Sequence, residues 1–205
     1  MKVSYIAAAA LLSTSLAQAA LVQGTPTPYN TPANPLPRFG TLIDFDDGTT
    51  GNALAANRYV ADGVTSIVNT LGPTLGFFAT SQSTPNYIGT GFPNNWNADI
   101  LVEFTDLQAA VGIGIAGPTT LQFELLDAGK NVLEGYSLRT TPINTYYYIN
   151  RLTNDTKFLR VAGNFVAIDD LQFDVKTVVP EPGTYALMLA GLGLLGMLVR
   201  RRPAA

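Results

Sequence analysis

The chemistry open to this chain is limited first by composition, because its 205 residues include no histidine and no cysteine. A Ser-His-Asp triad, a Cys-His pair and a histidine zinc site are therefore impossible within the chain. A carboxylate pair for glycoside cleavage remains, and four acidic residues could supply it: Asp99, Glu103, Glu124 and Glu134. Nothing in their spacing marks two of them as partners, and charged strand residues are mostly solvated. The sequence therefore predicts that the protein is not an enzyme.

A second group of carboxylates lies beside the first and the last predicted strands: Asp44, Asp46, Asp47, Asp169 and Asp170. In extended geometry Asp169 shares its face with Leu171 and Phe173, which would turn it toward the core. A buried carboxylate needs a partner. That partner is either the backbone of a turn or an arginine such as Arg58 or Arg160.

Aromatic residues form the third candidate site. Trp96, the only tryptophan, lies in the loop-like stretch 93–97 among asparagines, near Tyr87. A sugar ring can stack its C–H face on such a ring while amides bond its hydroxyls. The run 146–148 must place tyrosines on both faces of a strand. The sequence predicts a carbohydrate site at Trp96, Tyr87 and Tyr147, or alternatively a tryptophan that closes the end of the fold and tyrosines that pack in it.

Short runs of β-branched and aromatic residues, separated by Gly, Pro, Asn and Asp, must position these side chains. Many short strands at near-regular spacing predict an all-β fold, an antiparallel two-sheet sandwich. The predicted strands are 41–45, 58–60, 66–69, 76–80, 99–104, 109–115, 120–127, 132–138, 146–150, 157–162 and 166–175.

Alternation of side chains supports this fold at 120–127, where Leu121, Phe123 and Leu125 share one face. The stretch 127–130 then reads as a hairpin connection to the next strand. We expect the domain to span residues 39–177. Because cysteine is absent, this domain must be stabilised by its hydrophobic core without disulfides.

The N-terminus has the layout of a secretion signal: Lys2, an apolar run over 6–12, and the small residues Ala17 and Ala19. Signal peptidase is expected to cleave between Ala19 and Ala20. Residues 1–19 are thus the predicted signal peptide, and 20–38 form a Pro-rich N-terminal segment. The alternative is a buried N-terminal helix.

The C-terminus has the layout of a membrane anchor. Two prolines around Glu181 exclude a helix there, so the helix must begin after Pro182. The apolar stretch 184–199 would cover roughly 24 Å as a helix, near the short limit for a hydrocarbon core of about 30 Å. Basic residues prefer the cytoplasmic face, which leaves the domain outside. Those residues are Arg200, Arg201 and Arg202.

The tail resembles the PEP-CTERM sorting signal: Pro180, Glu181 and Pro182, then a short Gly- and Leu-rich span and a terminal basic cluster. The resemblance covers residues 178–205. It implies that the protein is a substrate of an exosortase, a membrane-embedded protease of bacteria that make exopolysaccharide. It also implies export with a transient inner-membrane anchor, followed by release to the cell surface or the extracellular matrix. The alternative is an ordinary anchor with a chance motif.

Parts of the domain, 120–138 and 165–173, resemble jelly-roll domains of PEP-CTERM proteins and some carbohydrate-binding modules. Such modules often hold a structural Ca²⁺ between the first and last strands, and aspartate oxygens suit that ion. The resemblance implies Asp46, Asp47 and Asp169 as calcium ligands. The alternative is that these aspartates shape turns or pair with arginine.

The charge balance argues against nucleic acid as a partner. The chain has 12 basic and 15 acidic residues, and its terminal signals hold several of the basic ones. The exported part therefore repels phosphate backbones. The functions that stay open are a non-enzymatic surface or matrix protein, a module that binds exopolysaccharide, a secreted glycosidase and a permanently anchored membrane protein.

Overall fold

The fold is built almost wholly from strands. The computed structural model describes residues 21–23, 40–79, 86–90, 97–116, 120–139, 145–151 and 153–173, all within one compact unit, Met1–Val175. Within these residues lie twelve strands: β1 (Leu21–Gln23), β2 (Thr41–Ile43), β3 (Val64–Asn69), β4 (Gly76–Phe78), β5 (Tyr87–Gly89), β6 (Asn97–Gln108), β7 (Ala110–Ala116), β8 (Thr120–Leu126), β9 (Val132–Arg139), β10 (Thr145–Asn150), β11 (Thr156–Asn164) and β12 (Ala167–Phe173). A 3₁₀ helix, Val60–Asp62, precedes β3.

The strands form two antiparallel sheets. The first sheet has seven strands in the order β1-β10-β7-β12-β5-β4, with β2 also paired to β12. The second sheet has five, in the order β3-β6-β11-β8-β9. This arrangement confirms the predicted all-β, two-sheet sandwich.

Alternate residues of each strand form the core between the sheets. On β7, Val111, Ile113 and Ile115 belong to the core cluster, while small residues occupy the other positions. On β8 the predicted face of Leu121, Phe123 and Leu125 is buried as expected. Because apolar burial contributes about 25 cal/mol per Å², this shared core can stabilise a domain that has no disulfides.

Three local predictions differ from the structure. Residues 58–60 are not a strand: the Arg58 amide donates to the Ala55 carbonyl at 3.0 Å, and a 3₁₀ helix follows and ends at Gly63 with φ 92°. Two short strands, β1 and β5, were not predicted. Each has three residues, too few to show alternation, and β1 follows directly on the predicted signal peptide.

A bulge in β12 changes which face Asp169 occupies. Asp170 has a positive φ of 44°, and the register with β7 shifts between Asp169 and Gln172. Ile168 and Leu171 both point into the core, whereas Asp169 is paired with Gly114 on the opposite face. The expectation that Asp169 shares a face with Leu171 is therefore wrong, because the bulge breaks the two-residue period of the strand.

The predicted signal peptide, the Pro-rich stretch after β1 and the predicted C-terminal membrane helix lie outside the described residues. In the part of the chain that the structure describes, no helix has the length and apolar character needed to cross a bilayer.

Gly48 permits the chain to pass the ring of Phe77. A Cβ atom at this position would lie 2.2 Å from Cδ1 of Phe77, and that ring is only 1% exposed and cannot move aside. We expect Gly48→Ala to lower the free energy of unfolding by about 1–3 kcal/mol, the usual cost of overpacking. Urea denaturation of the exported protein measures it.

Gly135→Ala on β9 is the matched control, because its new Cβ would meet side chains at 3.4 and 3.7 Å, which is ordinary contact. A Gly48→Ala protein as stable as this control would contradict the close approach of Phe77.

Candidate functional sites

The predicted aspartate cluster begins at a tight turn after β2. Phe45 has a positive φ of 57°, is fully buried, and packs edge-on against Tyr59 with ring centroids 5.4 Å apart. The Asp46 amide donates to Asp44 Oδ1 at 3.2 Å. The turn thus inserts one aromatic ring into the core and leaves the carboxylates on either side of it near the surface.

Asn86, just before β5, holds this turn in place. Its amide N–H donates to Asp46 Oδ1 at 3.0 Å, and its side-chain Nδ2 donates to the Gly48 carbonyl at 2.9 Å. The Thr50 hydroxyl donates to Asn86 Oδ1 at 2.7 Å. Sequence reasoning missed Asn86, because one asparagine before a three-residue strand carries no pattern that distinguishes it from a loop residue.

Asp47 is bound by two residues of the turn that precedes the 3₁₀ helix, Arg58 and Tyr59. Arg58 donates to Asp47 Oδ2 from Nε at 3.1 Å and from Nη2 at 2.9 Å, and the Tyr59 hydroxyl donates to Oδ1 at 2.7 Å. Partial burial opposes ionisation, but these hydrogen bonds outweigh it and hold the pKa of Asp47 below its ordinary value. Burial and the bond to Asp47 raise the pKa of Tyr59. The ionised Asp47 side chain therefore links the turn after β2 to the turn at Arg58 and Tyr59.

Asp169 lies in a different environment, 1% exposed on the face turned away from the second sheet. Burial raises the pKa of Asp169 to about 9, and the charges of Asp170, Asp46 and Asp44 act in the same direction. The Asp170 amide donates to Asp169 Oδ1 at 2.8 Å, and the Tyr146 hydroxyl donates to Asp170. At neutral pH the Asp169 side chain is thus a protonated, neutral acid.

The three predicted calcium ligands do not share one environment. Asp46 and Asp169 influence each other electrostatically, whereas the Asp47 carboxylate is bound by Arg58 and Tyr59. Among the described residues, no three acidic side chains stand together as a metal-binding group. The Asp47 carboxylate thus already has protein partners, and calcium at Asp46, Asp47 and Asp169 stays a prediction.

The tyrosine run on β10 is divided between the two faces of the first sheet. Tyr147 is 2% exposed in the core, with its ring centroid 6.4 Å from that of Phe123. Tyr146 and Tyr148 lie on the opposite face, beside Gly114 and Gly112 of β7. Tyr147 is therefore not available to a sugar at the surface, because the register directs the middle tyrosine inward.

Tyr87 is half-buried, and it contacts an aromatic residue that the sequence did not assign to the predicted sugar site. Its ring stacks on Phe78 of β4, with centroids 5.7 Å apart and planes inclined by 28°, and both rings are half-buried. Trp96 lies outside the described residues. Phe78 was assigned to a predicted strand and to no site, because a Phe-Phe pair in a strand does not indicate which ring faces outward.

The four carboxylates considered for catalysis each contact a cation. Arg160 donates to Asp99 Oδ1 at 2.7 Å and to Glu124 Oε2 at 2.9 Å. The two other ion pairs are Arg151–Glu134 at 2.6 Å and Lys157–Glu103 at 3.7 Å. Burial opposes ionisation of Asp99, but hydrogen bonds from Arg160 and Thr70 lower its pKa. Three of these contacts join neighbouring strands of the second sheet, and Arg151, just after β10, reaches Glu134 of β9 in the other sheet. The four carboxylates therefore have structural partners.

The fold defines this protein as an antiparallel two-sheet sandwich. Residues 178–202 match the family model of the PEP-CTERM protein-sorting motif, which confirms the resemblance of the tail. The chain therefore carries the tail of an exosortase substrate. This signal implies an exported protein that is processed by an exosortase and is held transiently at the membrane.

The solved structures that are similar to this chain include the following two. CsCBM6-3 from Clostridium stercorarium, in complex with cellobiose, is 14% identical with a TM-score of 0.37, over 53% of this chain and 92% of that one. The enzymatically active domain of tailspike protein 4 from bacteriophage CBA120 is 13% identical with a TM-score of 0.34, over 60% of this chain and 21% of that one. No curated protein matches the sequence.

We expect Asp47→Asn to lower the free energy of unfolding by about 1 kcal/mol, because Arg58 and Tyr59 lose their shared charged acceptor. The loss should be the same in calcium and in EDTA, since this carboxylate is already bound by protein groups. Urea denaturation in both buffers measures it. If calcium stabilises the wild-type protein and Asp47→Asn removes that effect, Asp47 is a metal ligand and does not act only through Arg58 and Tyr59.

The Asp99–Arg160 pair predicts a dependence of stability on pH. Because folding lowers the pKa of Asp99 below its ordinary 3.8, the pair stabilises the fold above that pH and loses its effect as the pH falls through the folded value. We expect Asp99→Asn to cost about 1 kcal/mol at pH 7 and progressively less as the pH falls below 3.8.

Urea midpoints between pH 7 and pH 2 test this, with exposed Asp62→Asn as the control. A cost of Asp99→Asn that stays constant over this range would show that the carboxylate acts through shape and not through charge.

Proposed function

We propose that this protein is a non-enzymatic component of the cell surface or extracellular matrix, delivered there by exosortase processing of its tail. The observation that carries this proposal is the PEP-CTERM motif at residues 178–202, which follows a cysteine-free β-sandwich. The carboxylates that could have served a glycosidase are engaged in ion pairs with Arg151, Lys157 and Arg160. A structural or adhesive role needs no catalytic group.

The position of β12 supports processing of the tail without loss of the fold. This strand, Ala167–Phe173, lies inside the first sheet, between β7 on one side and β2 and β5 on the other. It ends seven residues before Pro180. A cut near the Pro-Glu-Pro motif would therefore leave every described strand attached to the exported domain.

A second candidate function is carbohydrate binding, with exopolysaccharide as the ligand. The observation that favours it is the half-buried stacked pair Phe78–Tyr87, because exposed aromatic faces can form binding sites. A secreted glycosidase is less well supported, since each of its four candidate carboxylates has a cationic partner.

Mass spectrometry of the protein recovered from a bacterial host with an active exosortase tests the proposal. We expect the mature chain to begin at Ala20 and to end near Pro180–Pro182, in the surface or medium fraction. Glu181→Ala should keep its C-terminus up to Ala205 and remain in the membrane fraction. Asp174→Ala removes the same charge upstream of the motif and should be processed normally.

An intact C-terminus on the wild-type protein in that host would contradict exosortase processing and would favour a permanent anchor. Full-length protein in the cytosol, with Met1 still attached, would contradict export itself.

A further inference from the structure

The outer edge of β4 is paired with the segment 51–54, which lies beside Phe78. The Gly51 amide donates to the Phe77 carbonyl at 2.7 Å, and the Phe77 amide donates to the Asn52 carbonyl at 3.0 Å. A bridge joins Ala53 to Gly76, and the Leu54 amide donates to the Leu75 carbonyl at 2.8 Å. The backbone groups of this edge are therefore paired, and the edge forms a rigid support.

Glycines beneath the two outward rings determine how the rings lie. A Cβ at Gly76 would be 3.5 Å from Cε2 of Phe78, and one at Gly89 would be 3.4 Å from Cε2 of Tyr87. Each ring thus leans over a glycine on its own strand, while Phe77 and Ile88 point into the core. The pair Phe78–Tyr87 is held in place by the sheet and by its own stacking.

A cavity of about 200 Å³ adjoins this pair, and its walls include Phe78, Asn52, Thr74 and Gly76. None of its lining residues is charged. The side chains of Asn52 and Thr74 are exposed and make no hydrogen bond to the described residues. The cavity is smaller than the roughly 300–1,000 Å³ of pockets for drug-sized ligands, which suits a single small ring.

We propose that this cavity, which we call the Phe78 cavity, binds one neutral sugar ring of a polysaccharide chain. The C–H face of the ring would pack on Phe78, and its hydroxyls would bond to the Asn52 amide and the Thr74 hydroxyl. A uronate or a phosphorylated sugar would meet no cation in the lining. A purely apolar ligand would leave the amide and the hydroxyl without partners.

This proposal rests on the second candidate function, carbohydrate binding, and assigns the binding to the Phe78 cavity. Of the aromatic residues that the sequence suggested for a sugar site, Tyr87 alone contributes here, as the stacking partner that fixes the Phe78 ring. The proposed sugar contacts are Phe78 on β4, Thr74 just before β4, and Asn52 on the segment that pairs with this edge.

The experiment uses the exported protein on an array of neutral oligosaccharides of glucose, galactose, mannose and xylose, with uronate-containing and phosphorylated glycans beside them. Dissociation constants for the bound glycans are then measured by calorimetry. We expect neutral glycans to bind and Phe78→Ala to weaken their binding about fivefold to tenfold, the value of one aromatic contact. Phe78→Tyr keeps the ring and should change the constant less than twofold.

Tyr136→Ala, a partly buried tyrosine of the second sheet, is the matched control and should bind like the wild type. Asn52→Ala alters an exposed side chain that bonds to no described residue, so it tests the site even if Phe78→Ala does not fold. It should weaken binding at least twofold.

Binding that survives both Phe78→Ala and Asn52→Ala would overturn this cavity as the site and leave carbohydrate binding to another surface. Binding of charged glycans alone would overturn the neutral class. Binding of no glycan would overturn the site and the carbohydrate candidate together. Exosortase processing is measured separately at the C-terminus, so its outcome and this one are distinguishable.

Discussion

The pairing of β12 with three other strands holds the first sheet together. Through residues 167–169 and 172 it bonds to β7 on one side, and on the other side it bonds to β5 and β2. The last strand of the described chain is therefore the centre of its sheet and not an edge. In a domain without cysteine, whose stability must come from core packing and strand pairing, this order makes completion of the sheet depend on the C-terminal end of the domain.

The same strand also carries the main irregularity of the fold. The bulge at Asp169–Asp170 moves two carboxylates to the face away from the core, beside Tyr146 and Gly114. A charged group is costly to bury, and the raised pKa of Asp169 shows that neutralisation by a proton meets this cost. By contrast, Asp47 stays charged, because Arg58 and Tyr59 bond to it. Asp47 and Asp169 thus differ in charge state because their surroundings differ.

Side-chain alternation predicted the strands that are long enough to display it, and this is why the sandwich was predictable. The predicted strand 58–60 was wrong, because the residues around it favour turns more strongly than Tyr59 and Val60 favour a strand. Those turn-forming residues are Asn57, Asp62 and Gly63. Alternation could not predict the bulge at Asp170. A single residue with a positive φ there exchanges the inward and outward positions of the residues that follow it in β12. The face of Tyr147 depends on register with β7, which is a property of two strands and not of one.

The candidate sugar site was still harder to predict, because no single segment contains it. In the proposed site, the place of Phe78 depends on Gly76, over which its ring leans, and on residues 51–54, which pair with the edge of β4. The sorting motif is the opposite case, since residues 178–202 are contiguous in the sequence. The motif could therefore be recognised from its own residues, whereas the candidate sugar site exists only after segments 51–54 and 74–78 have paired.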